Sequence, residues 1–225
     1  MGGVVAADPL FLIVLGGLLA LDGTSVGQVM VSRPFVAGTL AGWVMGDPFL
    51  GLLVGGIIEL YFIPVFPVGG SEFPEGGPAT LVGVVAASGI PGPGGIALGV
   101  VIGLVWSRLA AYSVRLLRKT NGRIVPDPSR GPVSTGRILW AHLGCIGLDF
   151  LRGVALTALG LLITLWTTRL LHDAWPLDSA STLGLLFLGA SLPAGAFIGS
   201  LGGWQKRGVL FAAGAGGFLI GSILL

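Results

Sequence analysis

Four carboxylates stand in a stretch of chain, residues 46–80, that otherwise has the composition of a membrane segment: Asp47, Glu59, Glu72 and Glu75. No Lys or Arg accompanies them within that stretch. An ionisable group at membrane depth is costly and usually faces a polar cavity or a substrate path rather than lipid. The stretch therefore indicates a binding site.

Glu59 is the central candidate, because it follows the apolar run 49–58 and has no basic residue within ten positions on either side. Its carboxylate can accept hydrogen bonds from the hydroxyl groups of a polar solute. Glu72 and Glu75 lie in a Pro/Gly segment, 67–78, that we expect to interrupt the helices and to act as a moving gate. Both are either contributors to the site or residues of an exposed loop. Asp47 precedes a proline, so we expect it to cap or end a short helix.

A second polar group interrupts the end of the first apolar segment. Asp22 and Gln28 supply hydrogen-bonding groups of the kind that a sugar needs. Gln28 is a contributor to the predicted site and Asp22 a lesser candidate. Two alternatives are that Asp22 pairs with Arg33 and that both lie at the membrane interface.

The composition predicts an all-α, polytopic integral membrane protein. The mean hydropathy is +0.95 and only 10% of residues are charged, whereas an ordinary soluble domain has about 25%. The 41 glycines favour closely packed helices. We expect one transmembrane domain over residues 1–225. A single cysteine, Cys145, excludes an internal disulfide, and no nucleotide loop or metal-ligand pattern appears, so we predict no cofactor, metal or nucleic-acid partner.

The apolar segments show where the helices are broken. They cover residues 9–31, 34–66, 79–114, 138–171, 182–201 and 208–225. Gly and Pro interrupt two of them, at 46–48 and at 88–95. The pieces 34–46 and 79–88 are too short to cross a bilayer alone, which takes about 20 residues, so we expect half-helices or re-entrant elements.

Charge sets the predicted topology. Six basic residues lie in the segment 115–137, which we interpret as a cytoplasmic loop, and none lies in 172–178, which should be external. The basic segment is either a topology determinant or a docking surface for cytosolic proteins.

Glycines at every fourth position predict close helix packing. The three sets are Gly38, Gly42 and Gly46; Gly95, Gly99 and Gly103; Gly195, Gly199 and Gly203. One helical stripe, formed by His142, Cys145 and Asp149, could suggest a nucleophile and a base, but such residues more often line a polar seam.

The order and spacing of three motifs carry a resemblance. They are residues 32–42 (SRPFVAGTLAG), 46–60 (GDPFLGLLVGGIIEL) and 67–75 (PVGGSEFPE). The chain resembles the enzyme IIC membrane subunit of the mannose/fructose/sorbose class of the bacterial phosphoenolpyruvate-dependent sugar phosphotransferase system (PTS). In that resemblance Glu59 falls on the family's membrane glutamate, and Glu75 falls where many members carry Asp.

The resemblance implies a multi-span permease of the bacterial inner membrane. It would carry a hexose inward while cytosolic IIA and IIB components phosphorylate it, and a IID membrane subunit would complete an oligomeric permease. The chain itself would be a transport subunit, without its own phosphorylation site. The alternatives are a phosphorylation-independent secondary transporter or channel, an accessory protein that only scaffolds or senses, and an intramembrane enzyme.

Overall fold

The computed structural model describes residues 8–65, 73–172 and 174–202. Within these ranges the chain forms helices and no strand. The seven α-helices are α1 (Pro9–Thr24), α2 (Pro34–Val44), α3 (Pro48–Phe62), α4 (Gly76–Ser88), α5 (Pro93–Ile124), α6 (Thr135–Leu171) and α7 (Ser179–Gly202). A short 3₁₀ turn, Pro128–Arg130, lies between α5 and α6.

Prolines and carboxylates start several of these helices. Helices α1, α2, α3 and α5 each have proline in their first turn, where the missing N–H costs nothing. Asp47 caps α3 as predicted, because its Oδ1 accepts from the N–H of Leu50 at 2.9 Å. Asp178 accepts from the N–H of Ser181 before α7 at 2.8 Å, and this hydrogen bonding holds the pKa of Asp178 below its ordinary range.

The two predicted breaks are the turns of two helical hairpins. Helices α2 and α3 are joined through Gly46, at φ +84°, and α4 and α5 through Gly92, at φ +75°. Only glycine adopts such angles without strain, so the backbone reverses there. Helix α4 begins at Gly76, so Gly76, Gly77 and Pro78 belong to a helix and not to the predicted interruption. Pro78 is tolerated there because the first N–H groups of a helix have no hydrogen-bond partner within the helix.

Glycine faces hold each hairpin together. A Cβ on Gly38 would lie 2.9 Å from the Cα of Gly55, and one on Gly42 would lie 2.9 Å from the Cα of Gly51. In the second hairpin, a Cβ on Gly99 would lie 2.7 Å from the Cβ of Ala87. The first two predicted glycine sets are therefore packing surfaces, except that Gly46 lies in the turn.

The third glycine set does not pack in this way. A Cβ on Gly195 or Gly199 would meet nothing within 4 Å, and Gly203 lies outside the described residues. Helix α7 contacts α3 and α5 but leaves most of its side chains exposed.

Helix lengths agree with a membrane protein. In the described ranges α5, α6 and residues 179–200 of α7 are long and apolar enough to cross a bilayer. Helices α1 to α4 have 11 to 16 residues and are shorter than a span of about 20. The predicted basic loop is largely helical, since 115–124 belong to α5 and 135–137 to α6. Pro126, Pro128 and Pro132 interrupt the helix only between these two ends.

The closed end of the α4 and α5 hairpin lies beside the connection between α6 and α7, and a cavity lined by Asp47 and Gly92 lies between it and the closed end of the α2 and α3 hairpin. His172 Nδ1 lies 3.1 Å from the carbonyl oxygen of Gly89, and a Cβ on Gly94 would lie 3.0 Å from the indole of Trp175. At the opposite end of that hairpin, before α4, the N–H of Glu75 donates to the carbonyl oxygen of Ser107 in the middle of α5 at 3.2 Å.

Candidate functional site: two linked ion clusters

Glu59 forms an ion pair with Arg33, although no basic residue lies within ten positions of it in the sequence. Arg33 Nη2 lies 2.5 Å from Glu59 Oε1, and the N–H of Phe35 donates to Glu59 Oε2 at 3.3 Å. The sequence did not identify Arg33 as the partner of Glu59, because only the folding of the hairpin brings the end of α3 to the start of α2. The carboxylate also benefits from the positive end of the α2 dipole.

The Arg33 and Glu59 pair keeps hydrogen-bonding capacity for a ligand. The Arg33 side chain is 48% exposed and that of Glu59 is 17% exposed. A guanidinium has five N–H donors and a carboxylate about four acceptor positions, so a polar solute can bind without breaking the pair. Such a pair contributes little to stability. Its arrangement suits the recognition of hydroxyl groups.

Asp22 organises the connection between α1 and α2. Its Oδ1 accepts from the N–H of Val29 at 2.8 Å and its Oδ2 from the N–H of Ser32 at 2.7 Å. The predicted alternative pairing with Arg33 is therefore wrong, because backbone donors occupy the carboxylate and Arg33 binds Glu59. Asp22 shapes the loop through these two bonds, and its role as a sugar contact stays a prediction.

Gln28 lies exposed in the same connection. It has φ +52°, an uncommon angle for a residue with a side chain. Its Nε2 donates to the carbonyl oxygen of Thr24 at 3.3 Å. The amide oxygen is available for a ligand that reaches the connection.

Glu75 is buried in an ion cluster, so it is not the exposed loop residue of one alternative, and its role as a hydroxyl contact stays a prediction. Only 6% of the residue is exposed. Arg152 of α6 holds both carboxylate oxygens, with Nη1 to Oε2 at 2.6 Å and Nη2 to Oε1 at 2.7 Å. This parallel geometry is the strongest that an arginine and a carboxylate form.

Asp149 completes this cluster. It is fully buried, and its Oδ1 accepts from Arg152 Nε at 3.0 Å and Nη2 at 2.8 Å. Its Oδ2 accepts hydrogen bonds from the hydroxyls of Thr24 and Ser25 at the end of α1. Buried charges persist where they are paired and hydrogen-bonded in this way.

Sequence reasoning missed Arg152, although a signal was present. An arginine three positions after an aspartate within the apolar segment 138–171 is itself an intramembrane charge that calls for a partner. The predicted stripe of His142, Cys145 and Asp149 does not act together, because Asp149 turns to Arg152 while His142 is exposed. No group of three metal-ligating side chains occurs among the described residues.

The start of α4 brings the two ion clusters together. Gly76 follows Glu75 directly, and a Cβ on it would lie 2.8 Å from Pro34 Cδ, next to Arg33. The structure thus places Glu59, Asp22, Gln28 and Glu75 around the open ends of the hairpins. Glu72 lies outside the described residues.

Comparison with known proteins relates the first half of the chain to a family. The family of PTS system sorbose-specific IIC components matches residues 8–122, which include α1 to α4 and most of α5.

Two relatives and one solved structure extend the comparison. An Escherichia coli (strain K12) protein provisionally named N-acetylgalactosamine permease IIC component 2 is 38% identical over 61 residues, 27% of this chain and 46% of the relative. The mannose-specific EIIC component of the same strain is 21% identical over 183 residues, 80% of this chain and 68% of the relative. The chain thus covers less than half of the first relative's length.

The solved structure is that of the mannose transporter ManYZ with microcin E492. Its matching chain superposes with a TM-score of 0.53 at 16% identity, over 96% of this chain and 92% of that one. This likeness shows a shared membrane fold. The match over residues 8–122, more than half of the chain, shows that the chain belongs to the family of PTS system sorbose-specific IIC components.

Proposed function

We propose that the protein is the IIC permease subunit of a sugar phosphotransferase system and carries a hexose inward across a bacterial inner membrane. Membership of the IIC family over residues 8–122 is the observation that carries this proposal. Cytosolic IIA and IIB components would supply the phosphoryl group and a IID subunit would complete the permease in an oligomer. This chain would perform transport only.

The proposed sugar contacts are Arg33 and Glu59, with Gln28 from the preceding connection. Sugar hydroxyls leave water on binding, and an unpaired buried polar group costs about 1–3 kcal/mol. A charged donor and a charged acceptor on adjacent helix ends can replace that water. Asp22 and Glu75 would support the site from behind, and Glu72 stays a proposed contributor.

Uptake by membrane vesicles tests this function. Vesicles that contain this chain and its IID subunit are supplied with IIA, IIB, phosphoenolpyruvate and the soluble proteins that pass its phosphoryl group to IIA. They should accumulate one of three labelled sugars as its phosphate. The sugars are mannose, sorbose and N-acetylgalactosamine, after the names of the family and its relatives. The control omits phosphoenolpyruvate.

Accumulation of sugar phosphate that requires phosphoenolpyruvate would support the proposal. Equal uptake of free sugar with and without phosphoenolpyruvate would overturn it in favour of a secondary transporter. Failure to take up any of the three sugars would overturn the assignment to hexose transport.

A further inference from the structure

Arg152 is not among the proposed sugar contacts, yet its guanidinium donates five hydrogen bonds. Its Nε, Nη1 and Nη2 all donate hydrogen bonds, the last of these to Glu75 and Asp149 at once. Nη1 also donates to the hydroxyl of Ser113 on α5 at 2.8 Å. It lies on α6, beyond residue 122 where the family match ends.

Glu75, which Arg152 binds, connects the cluster of Arg152, Glu75 and Asp149 to the proposed sugar site through the start of α4. Arg152 holds the carboxylate of Glu75. The backbone N–H of Glu75 donates to the carbonyl oxygen of Ser107 on α5 at 3.2 Å. The next residue, Gly76, packs directly on Pro34, and Gly77 packs on Ser32, where a Cβ would lie 3.2 Å from the serine Cβ. These contacts flank Arg33 on both sides.

A second connection from the cluster to the sugar site runs through the end of α1. Asp149 is oriented by Arg152 and accepts from Thr24 and Ser25. Those two residues begin the connection that carries Gln28. The cluster therefore holds the end of α1, from which the chain runs to Arg33, and the start of α4, which packs against the neighbours of Arg33.

We propose that Arg152 is a positioning residue for sugar binding, which sets the placement of Arg33 and Glu59 by fixing the start of α4 and the end of α1. This inference rests on the proposed function. Arg152 touches no proposed sugar contact itself. A displacement of about 1 Å in a positioned group can lower the rate of a reaction by roughly 100-fold, so a distant residue can control the site.

The geometry requires arginine rather than any cation. The planar guanidinium bonds both oxygens of Glu75 and still reaches Asp149 and Ser113, whereas a lysine ammonium has three donors on one atom. Arg152→Lys keeps the charge balance of the cluster but loses the two parallel hydrogen bonds to the carboxylate of Glu75. Arg169→Lys is a matched control, because Arg169 is exposed on the same helix.

Two measurements on the assembled permease test the inference. The first is the KM and maximal rate of phosphoenolpyruvate-dependent uptake. The second is the rate at which a thiol reagent labels a Ser32→Cys probe in a Cys145→Ser background, which needs no transport. In Arg152→Lys we expect KM to rise about tenfold or more and labelling of the probe to accelerate several-fold, with neither change in Arg169→Lys.

The outcomes separate this inference from the proposed function. A normal KM and normal probe labelling in Arg152→Lys would overturn it, even if the thermal stability fell. If the wild-type permease transports none of the sugars, the proposed function fails, and the labelling rate still decides whether Arg152 fixes the segment around Ser32. Should Arg152→Lys not accumulate, Glu75→Gln, which leaves Arg152 paired with Asp149, replaces it under the same criteria.

Discussion

At the scale of single residues, the acids of the site differ in how far their carboxylate oxygens are open to a ligand. Glu59 shares its carboxylate between one half-exposed arginine and one backbone N–H. Asp149 is fully enclosed, and donors from α1 and α6 occupy both of its oxygens. The first arrangement can exchange partners with a ligand at little cost, while the second is a fixed part of the structure.

Glu59→Gln should abolish or severely reduce sugar uptake while the protein still inserts into the membrane. The amide keeps the shape but removes the charge and the stronger acceptor, and hydrogen bonds to charged groups contribute about 1.5–3 kcal/mol. Uptake by vesicles with the partner subunits measures the effect. Asp127→Asn, in the exposed connection after α5, is the control. Uptake at the wild-type rate in Glu59→Gln would remove Glu59 from the site.

Asp149→Asn should destabilise the protein strongly. The change leaves Arg152 with one negative partner fewer, and breaking a buried ion pair typically costs about 3–5 kcal/mol. Thermal unfolding of the purified protein in detergent should therefore show a clearly lowered midpoint. Asp8→Asn, at the exposed start of α1, should unfold as the wild type does. Equal midpoints for all three proteins would contradict the structural role of the cluster.

At the scale of elements, the hairpins depend on backbones that approach more closely than side chains allow. Lipid provides no hydrophobic drive for helix association, so small residues and close packing supply the stability. The glycines of α2 and α3 face one another, and those of α5 face α4. This packing holds the turns at one end and opens the hairpins toward Arg33, Glu59 and Glu75 at the other.

Gly42→Ala and Gly99→Ala should destabilise the protein, although alanine is the better helix former. The gain in helix propensity is at most about 1 kcal/mol, whereas forcing a Cβ against the neighbouring helix typically costs about 1–3 kcal/mol. Gly144→Ala has open space around its Cβ and should be neutral or slightly stabilising. Protein yield, thermal midpoint and copurification of the partner subunit report the difference.

If Gly42→Ala and Gly99→Ala proteins matched Gly144→Ala in yield, midpoint and assembly yet lost sugar binding, the glycine faces would belong to the site instead.

At the scale of the whole molecule, charge and fold give one orientation. The basic ends of α5 and α6 lie on one side, and the connection after α6 lies beside the hairpin turns on the other. If the basic side lies in the cytoplasm, as the charge pattern predicts, both hairpin turns should face outward. Ser107 lies about 20 Å along α5 from its start, at 1.5 Å per residue, so in this orientation we expect the ion clusters to lie near the middle of the membrane.

Thiol labelling of intact cells tests this orientation. In a Cys145→Ser background, Ser179→Cys and Ser88→Cys should react with an impermeant reagent, because both serines are exposed at the outer end. Ser129→Cys, exposed between α5 and α6, should react only after the cells are opened. Labelling of Ser129→Cys in intact cells without labelling of the other two would reverse the orientation.

Much of the fold could be predicted from local sequence. Glycine and proline at 46–48 and 88–95 terminate helices through backbone angles and missing N–H groups, so the two breaks were visible without any tertiary contact. Hydropathy likewise identified a helical membrane protein. The spacing of Gly38 and Gly42, and of Gly95, Gly99 and Gly103, predicted faces for close packing, since a helix repeats every 3.6 residues.

The partners of the acids were decided only by the tertiary structure. Glu59 is unpaired in sequence, but the α2 and α3 hairpin brings Arg33 to it, and Glu75 meets Arg152 across 77 positions of chain. The energy of an ion pair depends on the distance between the two charges in the folded protein. Their separation in the sequence does not give that distance. A lone carboxylate in an apolar segment therefore predicts that a partner exists, and the packing of helices determines which residue it is.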